Sequence, residues 1–220
     1  EIIFSSSATV YGQKKPPPFS EYDELDPISP YGRTKLFFEM VLKDWVNSNL
    51  KNRAIILRYF NPVGAHRSGL IGEDQRENPN NLMPYIVQVA AGKQNYLSIF
   101  GNDYSTRDGT GERDYIHVLD VAKGHVKSVE KIKKIEKFQI INLGTGKGTT
   151  VLELLKTFEK VNEVNIPYKI VQRRTGDVAK LLANPEKASS IIDFKCKKTI
   201  EDMCFDAWNW QKNNPCGYLD

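Results

Sequence analysis

The sequence YGRTK at residues 31–35 decides the fold, because it places a tyrosine and a lysine four residues apart at the start of a helical pattern. Ser29 and Pro30 come directly before it, as the N-cap and the first residue of a helix do. Apolar residues then recur at helical spacing, which predicts a helix over 30–49. Tyr31 and Lys35 therefore lie one turn apart on one face. An ammonium beside a phenol stabilises the phenolate, so such a pair can supply a base, although the same spacing also arises by chance on helix surfaces.

Upstream of this helix, a short apolar run ends in the sequence SSSATVYG at residues 5–12. The run predicts a buried strand over 2–5 that leads into a loop. Ligands of open α/β sheets bind at the carboxyl ends of the strands. The hydroxyls of Ser7 and Thr9 would thus lie where a substrate hydroxyl could lose its proton. A serine cluster by itself is equally typical of a turn.

The rest of the chain continues the α/β order. Thr150 and Glu153 have the spacing of a capping box, and Thr199 has the position of an N-cap before the last helix, whose apolar stripe predicts core packing. Long loops are predicted at 61–80 and 101–114. Further strands are predicted over 54–59, 96–100, 138–143 and 168–172, and further helices over 81–93, 118–132, 150–161, 185–191 and 199–212.

Composition limits the class of protein. The chain has 220 residues, 40% of them hydrophobic, which is enough for one large domain or two small ones. No run approaches the ~20 apolar residues of a membrane span, and the net charge of +4 is spread without aromatic-interleaved basic clusters, so we expect neither a membrane nor a nucleic-acid partner. Three cysteines form no CxxC pair, which favours a reducing, cytoplasmic setting. The three histidines, His66, His117 and His125, lack metal-ligand spacing, and we predict no metal.

One glycine cluster resembles a dinucleotide-binding turn. Gly144, Gly146 and Gly148 follow a strand-like segment and precede a helix, but their spacing is not that of the GxGxxG fingerprint. We interpret the cluster as a tight strand-to-helix turn rather than a pyrophosphate site.

A series of motifs carries a family resemblance. After SSSATVYG and SPYGRTK come five motifs in order: LRYFNPVGAH (57–66), PNNLMPYI (79–86), GTGERDYIHVLD (109–120), NLGTGKG (142–148) and RRTGDV (173–178). Together they resemble the UDP-glucose 4-epimerase family of extended short-chain dehydrogenases/reductases, over essentially the whole chain. The YxxxK pair is shared by the whole superfamily, whereas the later motifs are more specific.

The resemblance implies the architecture. We expect an α/β fold: the C-terminal part of a Rossmann-like parallel sheet with a smaller α/β substrate-binding domain. Residues 1–60 and about 115–145 would belong to the NAD-binding domain, and 61–114 and 146–220 to the UDP-sugar domain. The Gly-rich turn for the NAD pyrophosphate is missing, because Glu1 already stands before the strand that carries Ser7. The chain is therefore expected to be a C-terminal fragment, inactive alone, that lacks on the order of a hundred residues made up of βαβ units.

The resemblance also implies roles for residues near the sheet. Tyr31 would take the proton from the sugar 4-hydroxyl while a hydride passes from C4 to NAD, and the 4-keto sugar would then be reduced on its other face. Lys35 would stabilise the phenolate and bind the nicotinamide ribose. Ser7, with Thr9 beside it, would bond the 4-oxygen. Phe60 would border the nicotinamide.

Further residues would hold the UDP-sugar. Arg113 and Arg174 occupy the family's diphosphate positions, and Asp177 would bind the uridine ribose. Leu181 stands where relatives strict for UDP-glucose and UDP-galactose carry tyrosine, which raises the hypothesis that N-acetylated UDP-sugars are also substrates; ordinary packing is the alternative. The remaining predicted contacts are Asn61, Asn81 and Leu82 with the phosphates and sugar, and Ser98, Ile99 and Phe100 with uracil.

Alternatives remain open at this point. Nucleotide-sugar decarboxylases and 4,6-dehydratases share YxxxK and NAD, but dehydratases usually carry acidic residues where this chain has Ser7-Ala8-Thr9. A non-catalytic nucleotide-sugar-binding module is the alternative from another class. Relatives dimerise through the helix that starts near Pro30, so a homodimer is expected for the full-length protein.

Overall fold

The structure, a computed structural model, describes residues 1–75, 79, 81–174 and 176–218 and has the predicted α/β order. Asn80 and Thr175, which fall within two of the quoted motifs, lie outside the described residues. The strands are β1 (Ile2–Ser7), β2 (Ala54–Tyr59), β3 (Asn61–Val63), β4 (Leu97–Phe100), β5 (Glu112–His117), β6 (Phe138–Leu143), β7 (Gly148–Thr150), β8 (Tyr168–Val171) and β9 (Lys180–Leu181). The helices are α1 (Pro30–Ser48), α2 (Leu82–Ala90), α3 (Val118–Lys131), α4 (Val151–Asn162), α5 (Glu186–Ile192) and α6 (Ile200–Asn213), with a short 3-10 turn at Ala8–Val10.

A parallel sheet in the order β1-β2-β6 forms the first layer. Helix α1 covers one face, where Phe38 approaches Phe4 with ring centroids 5.8 Å apart. Helices α3 and α5 cover the other face, and there the strands contribute to one hydrophobic cluster with Val121, Ala188 and Ile192. A parallel sheet with helices on both faces confirms the predicted Rossmann-like class.

The second part of the molecule is built from shorter strands. Strand β5 pairs in parallel with β3 and β9 and antiparallel with β7, while β4 and β8 form a separate parallel pair. Helices α2, α4 and α6 pack around a second hydrophobic core, to which they contribute Ile86, Phe158 and Met203. The first strand of this part, β3, begins two residues after β2 ends, so the two parts are joined directly at the carboxyl end of the parallel sheet.

The predicted helix starts are confirmed at atomic detail. Ser29 caps α1, because its side chain accepts a hydrogen bond from the Gly32 amide at 3.0 Å. The Thr150–Glu153 capping box is present at α4, and Thr199 caps α6. Each cap satisfies amide groups that the helix cannot pair internally.

Strand β3 and the start of β5 fall within the predicted loops 61–80 and 101–114, so those predictions were wrong there, and β7 and β9 occur where no strand was predicted. Strands β3, β7 and β9 have two or three residues, too few to show a periodicity. Strand β5 has the sequence ERDYIH, which reads as polar, yet its Asp114 is fully buried. That carboxylate accepts hydrogen bonds from the amides of Thr145, Gly146 and Ala183, so its burial is compensated by donors distant in sequence.

The division into two domains stays a prediction. Helix α5 and Phe194 share the hydrophobic cluster of the parallel sheet, although the sequence assigned 146–220 to the substrate domain. A boundary drawn by core packing would therefore move residues 186–194 to the sheet.

Candidate active site

The start of α1 lies against the carboxyl end of β1. The Lys35 ammonium donates to the Ser5 carbonyl at 2.9 Å and stands 5.4 Å from the centroid of the Tyr31 ring. Tyr31 itself is 55% exposed. The predicted tyrosine–lysine pair therefore exists on one helix face, with the lysine anchored to the strand and the phenol open to a ligand.

The hydroxyl side chains of Ser7 and Thr9 lie next to each other beside this helix. The Ser7 Oγ accepts hydrogen bonds from the Thr9 amide at 3.2 Å and from the Thr9 hydroxyl at 3.0 Å, which caps the 3-10 turn. A Cβ at Gly32 would lie 2.7 Å from the Thr9 carbonyl oxygen. Only glycine permits this approach, so the turn that carries Thr9 and the helical turn that carries Tyr31 are in direct contact.

The end of β2 adds two aromatic residues. The Phe60 side chain is buried next to Tyr11, with ring centroids 6.4 Å apart. Tyr59 was not predicted as a site residue. Its hydroxyl nevertheless donates to the Ser5 Oγ at 2.8 Å and also hydrogen-bonds to His125 Nε2. Burial raises the pKa of Tyr59 above its usual value. The position of Tyr59 next to Phe60 in the LRYFN motif was the only feature of the sequence that could have indicated a role at the site.

A cavity of about 400 Å³ gathers most of the predicted substrate contacts. It lies between β3, β4, the start of α2 and the segment after β8. Such a volume is in the range of small-molecule sites. Nine of the ten residues predicted to contact the UDP-sugar line it: Asn61, Asn81, Leu82, Ser98, Ile99, Phe100, Arg113, Arg174 and Asp177.

Two arginines converge on one carboxylate in this cavity. Arg174 Nε donates to Asp177 at 3.1 Å, and Arg113 Nη2 lies 4.0 Å from the other carboxylate oxygen. The Arg174 guanidinium also stands 4.5 Å from the centroid of the Phe100 ring. The two guanidinium groups provide paired donors of the kind that bind phosphate oxygens.

Two residues that line the cavity each hold a buried polar atom without a hydrogen-bond partner among the described residues. These atoms are the Asn61 Oδ1 and the Tyr104 hydroxyl. An unsatisfied buried polar group costs ~1–3 kcal/mol, so such atoms mark places where a ligand or water is expected to bond. Tyr104 was missed by the sequence analysis, because it lies in a loop without a recognised motif.

Leu181 is the one predicted substrate residue outside the lining of this cavity. It is the register partner of Arg113 and packs against the cluster that contains Ala8 and Phe60. Leu181 therefore contacts the cluster that includes Ala8, the residue between Ser7 and Thr9, and pairs with the strand that carries Arg113.

The glycine cluster at 144–148 is a tight, packed turn, as interpreted, but it connects β6 to the short strand β7 rather than leading directly into a helix. A Cβ at Gly144 would lie 2.7 Å from the Asp114 carboxylate, and one at Gly148 would lie 2.2 Å from the Glu112 carboxylate. The Gly146 amide donates to Asp114 at 2.8 Å. Amides that are already bonded to carboxylates do not form a pyrophosphate site.

Other features of the described ranges do not point to chemistry. A larger cavity of about 780 Å³ lies between the 144–149 turn and the α5–α6 connection, and it contains none of the predicted site residues. No cluster of three metal-ligating side chains occurs within residues 1–75, 79, 81–174 and 176–218. No helix in that part of the chain is long and apolar enough to cross a membrane.

Comparison with known proteins gives consistent matches. A sequence model described as GDP-mannose 4,6 dehydratase matches residues 1–207. The UDP-glucose 4-epimerase of Bacillus subtilis is 51% identical over 218 residues, and that of Dictyostelium discoideum is 52% identical over 221 residues. The matches cover 99% and 100% of this chain and 64% of each relative, so the chain spans about two thirds of their length.

Solved structures agree with this match. A UDP-glucose 4-epimerase from Stenotrophomonas maltophila, with bound NAD and formylated UDP-arabinopyranose, superposes with a TM-score of 0.94 at 46% identity, over 97% of this chain and 63% of that one. An epimerase from Bifidobacterium longum in complex with NAD+ and UDP gives a TM-score of 0.92 at 47% identity, over 98% and 64% of the two chains.

Proposed function

Because the chain belongs to the GDP-mannose 4,6 dehydratase family, within which its similarity to UDP-glucose 4-epimerases reaches about half of all positions, we propose that the protein containing it is an NAD-dependent UDP-glucose 4-epimerase. The reaction inverts C4 of UDP-glucose or UDP-galactose through a 4-keto sugar, a step of galactose metabolism. The observation that carries this proposal is the placement of a Tyr–Lys base beside a serine and threonine, next to a cavity with two arginines.

Tyr31 acts as the base in this proposal. The Lys35 ammonium lies 5.4 Å from the centroid of its ring, and the bond from that ammonium to the Ser5 carbonyl keeps the helix against β1. Ser7 binds the sugar 4-oxygen, and the Ser7–Thr9 hydrogen bond orients that hydroxyl. The proton that Tyr31 removes is held at its phenol oxygen and returned to the same sugar oxygen, so no net proton is consumed.

The donor set suits NAD on the same side of the sheet. Tyr31, Lys35 and Ser7 offer hydroxyl and ammonium donors to a ribose and a carboxamide, and Phe60 directly follows the neighbouring strand β2. Bound there, NAD would supply reversible hydride transfer at the sugar C4. Binding of the pyrophosphate would fall to residues other than the 144–148 turn, whose amides are bonded to Asp114.

The residues that line the cavity support binding of the substrate through a nucleoside diphosphate. Arg113 and Arg174 supply charge for the diphosphate, and Asn61 and Tyr104 supply polar atoms that lack partners among the described residues. Phe100 gives an aromatic edge for uracil beside Ser98 and Ile99. Leu181, which pairs with Arg113 and packs beside Ala8 and Phe60, would lie near the place where the sugar turns over.

Substrate range, assembly and location extend the proposal. Leu181 leaves more room than a tyrosine, which supports turnover of UDP-GlcNAc and UDP-GalNAc as well. Helix α1 exposes Phe37, Phe38 and Met40, an apolar face that supports a homodimer. Three free cysteines, Cys196, Cys204 and Cys216, support a reducing, cytoplasmic location.

The rival chemistries can be separated by products. The full-length protein is incubated with NAD and UDP-galactose, and in parallel with UDP-glucuronate, and products are resolved by chromatography. We expect UDP-glucose from the first and no CO2 from the second. Release of CO2 supports a decarboxylase, formation of a 4-keto-6-deoxy sugar supports a dehydratase, and UDP-galactose binding without turnover supports a binding module.

A matched pair of variants tests the assigned base. Tyr31→Phe should lower kcat by about 10²–10⁴-fold, because that is the range a general base contributes. Tyr22→Phe removes an equivalent hydroxyl from a residue that is 84% exposed and should leave kcat unchanged. Equal activity of the two variants would exclude Tyr31 as the base. The 220-residue chain alone is expected to show no turnover, and absent turnover of UDP-GalNAc with UDP-galactose active would contradict the wider substrate range.

A further inference from the structure

A row of polar side chains crosses the parallel sheet directly beneath the candidate site. Ser6, Arg58 and Asn142 are register partners on β1, β2 and β6, and all three are buried. Charged residues are seldom buried in a sheet unless they are paired. None of these residues has a part in the proposed chemistry.

Glu39 on α1 binds two members of this row. Its carboxylate accepts a hydrogen bond from the Ser6 hydroxyl at 2.5 Å and two from Arg58, at 3.0 Å from Nε and 2.6 Å from Nη2. The Arg58–Glu39 pair is almost completely buried. A buried ion pair is often no more stabilising than apolar residues of the same size, so stability alone does not account for it.

The spacing along α1 connects Glu39 to the candidate base. Tyr31, Lys35 and Glu39 follow one another at intervals of four residues and so share one stripe of the helix. Lys35 is bonded to the Ser5 carbonyl, and Glu39 is bonded to the Ser6 hydroxyl. The stripe thus binds two consecutive residues of β1, and the next residue of the strand is Ser7.

Arg58 and Asn142 from the same row of polar side chains also contact Tyr11, which follows the 3-10 turn that carries Thr9. The Arg58 guanidinium lies 4.9 Å from the centroid of the Tyr11 ring, and the Tyr11 hydroxyl donates to Asn142 Oδ1 at 2.6 Å. The Tyr11 amide donates to the Ala8 carbonyl at 3.1 Å, which closes the 3-10 turn. Burial raises the pKa of Tyr11 to about 12, so it remains a neutral donor.

We propose that Ser6, Glu39 and Arg58 form a latch that sets the position of α1 on β1 and thereby aligns Tyr31 with Ser7. Glu39 is a positioning residue in this view: it touches neither sugar nor cofactor, and it acts through Lys35, Ser6 and the helix itself. The catalytic part of the inference rests on the proposed function. Near-attack geometry is sensitive to shifts of about 1 Å, which can cost ~10²-fold in rate, so a loosened latch should lower the rate of the chemical step.

The test uses the full-length protein with conservative substitutions of Ser6. Ser6→Ala removes the strand–helix hydrogen bond but keeps the Glu39–Arg58 pair, and Ser6→Thr restores a hydroxyl. The control is Ser128→Ala, because Ser128 is also fully buried and makes one hydrogen bond, to the Gly124 carbonyl at 2.8 Å within α3. For each variant, kcat, KM for UDP-galactose and amide hydrogen exchange over residues 30–39 are measured.

We expect Ser6→Ala to lower kcat at least tenfold, with KM within twofold and exchange over 30–39 faster by about tenfold. Ser6→Thr should recover kcat to within about threefold of the parent, and Ser128→Ala should match the parent in all three measurements. Equal losses in Ser6→Ala and Ser128→Ala, or unchanged kcat and exchange in Ser6→Ala, would overturn the latch. If the parent itself turns over no UDP-sugar, the proposed function fails, and the exchange data still decide whether the latch holds α1.

Discussion

Replacing Asn61 with alanine should stabilise the free protein while weakening its ligand affinity. Asn61 stands at the start of β3 and lines the cavity, and its buried Oδ1 has no hydrogen-bond partner among the described residues. A site that keeps an unsatisfied atom in the free state gives up stability that it regains when a ligand donor arrives. Opposite effects on folding and on binding are therefore expected from one substitution.

The magnitudes follow from the two states of that atom. An unsatisfied buried acceptor costs ~1–3 kcal/mol, and loss of the side-chain packing of a half-buried residue offsets part of this gain. The free energy of unfolding should thus rise by about 1 kcal/mol. In the complex, the Asn61 oxygen can accept only from a neutral hydroxyl or N–H of UDP, and loss of such a hydrogen bond costs ~0.5–1.5 kcal/mol, which corresponds to a Kd for UDP weakened by about 2- to 10-fold.

Asn142 provides the matched control, because it is a buried asparagine whose side-chain oxygen and nitrogen both form hydrogen bonds. Its Oδ1 accepts from the Tyr11 hydroxyl at 2.6 Å, and its Nδ2 donates to the Phe19 carbonyl at 2.9 Å. Asn142→Ala should therefore destabilise the protein by ~1–3 kcal/mol. Urea titration of both variants, without ligand, gives the free energies, and calorimetric titration with UDP gives the affinities.

Equal destabilisation of the free protein by Asn61→Ala and Asn142→Ala would show that the Asn61 oxygen already has a partner in the free state. An unpaired Asn61 oxygen is refuted by that result. The expected role in binding is refuted equally by an unchanged affinity for UDP, because the Asn61 oxygen would then have no part in it.

Two further predictions concern the close contacts around the site and the fold beneath it. Gly32→Ala should lower kcat at least tenfold, because the new Cβ would meet the Thr9 carbonyl at 2.7 Å and push α1 from the turn. At Gly92 a Cβ meets nothing within 4 Å but φ is +71°, so Gly92→Ala should lower stability and leave kcat unchanged. His117 should make stability depend on pH: burial lowers its pKa below the ordinary 6.5, against the opposing effect of Asp206, so its contribution is present above about pH 6.5 and is lost as pH falls. Urea titrations from pH 8 to pH 5 should show this loss in the parent and a flatter profile in His117→Gln, and parallel profiles would contradict the assignment.

Local chemistry made much of the fold predictable. The caps at Ser29, Thr150 and Thr199 depend on residues within three positions of one another, so their signal is complete in the sequence. The same holds for the Tyr31–Lys35 pair, whose geometry follows from helical spacing alone. Grouping of the cavity residues came from the family motifs, because they lie on several elements that spacing cannot bring together.

What could not be predicted depends on contacts distant in sequence. Strand β5 appeared too polar because the donors for Asp114 come from residues 145, 146 and 183. Tyr59 gained importance only through its contacts with Ser5 and His125, from two other elements. Glu39 looked like an ordinary helical glutamate until the register of β1 and β2 placed Ser6 and Arg58 beneath it.

The two-residue strand β9 has a consequence for how selectivity evolves. It holds Leu181 opposite Arg113, and the residues just before it include Arg174 and Asp177. Any change in the length or conformation of residues 174–181 would alter both the space available to the sugar and the binding of the diphosphate. Under the proposed function, sugar preference and nucleotide affinity are inherited as one unit, and a graft of residues 174–181 from a relative with another preference would transfer both.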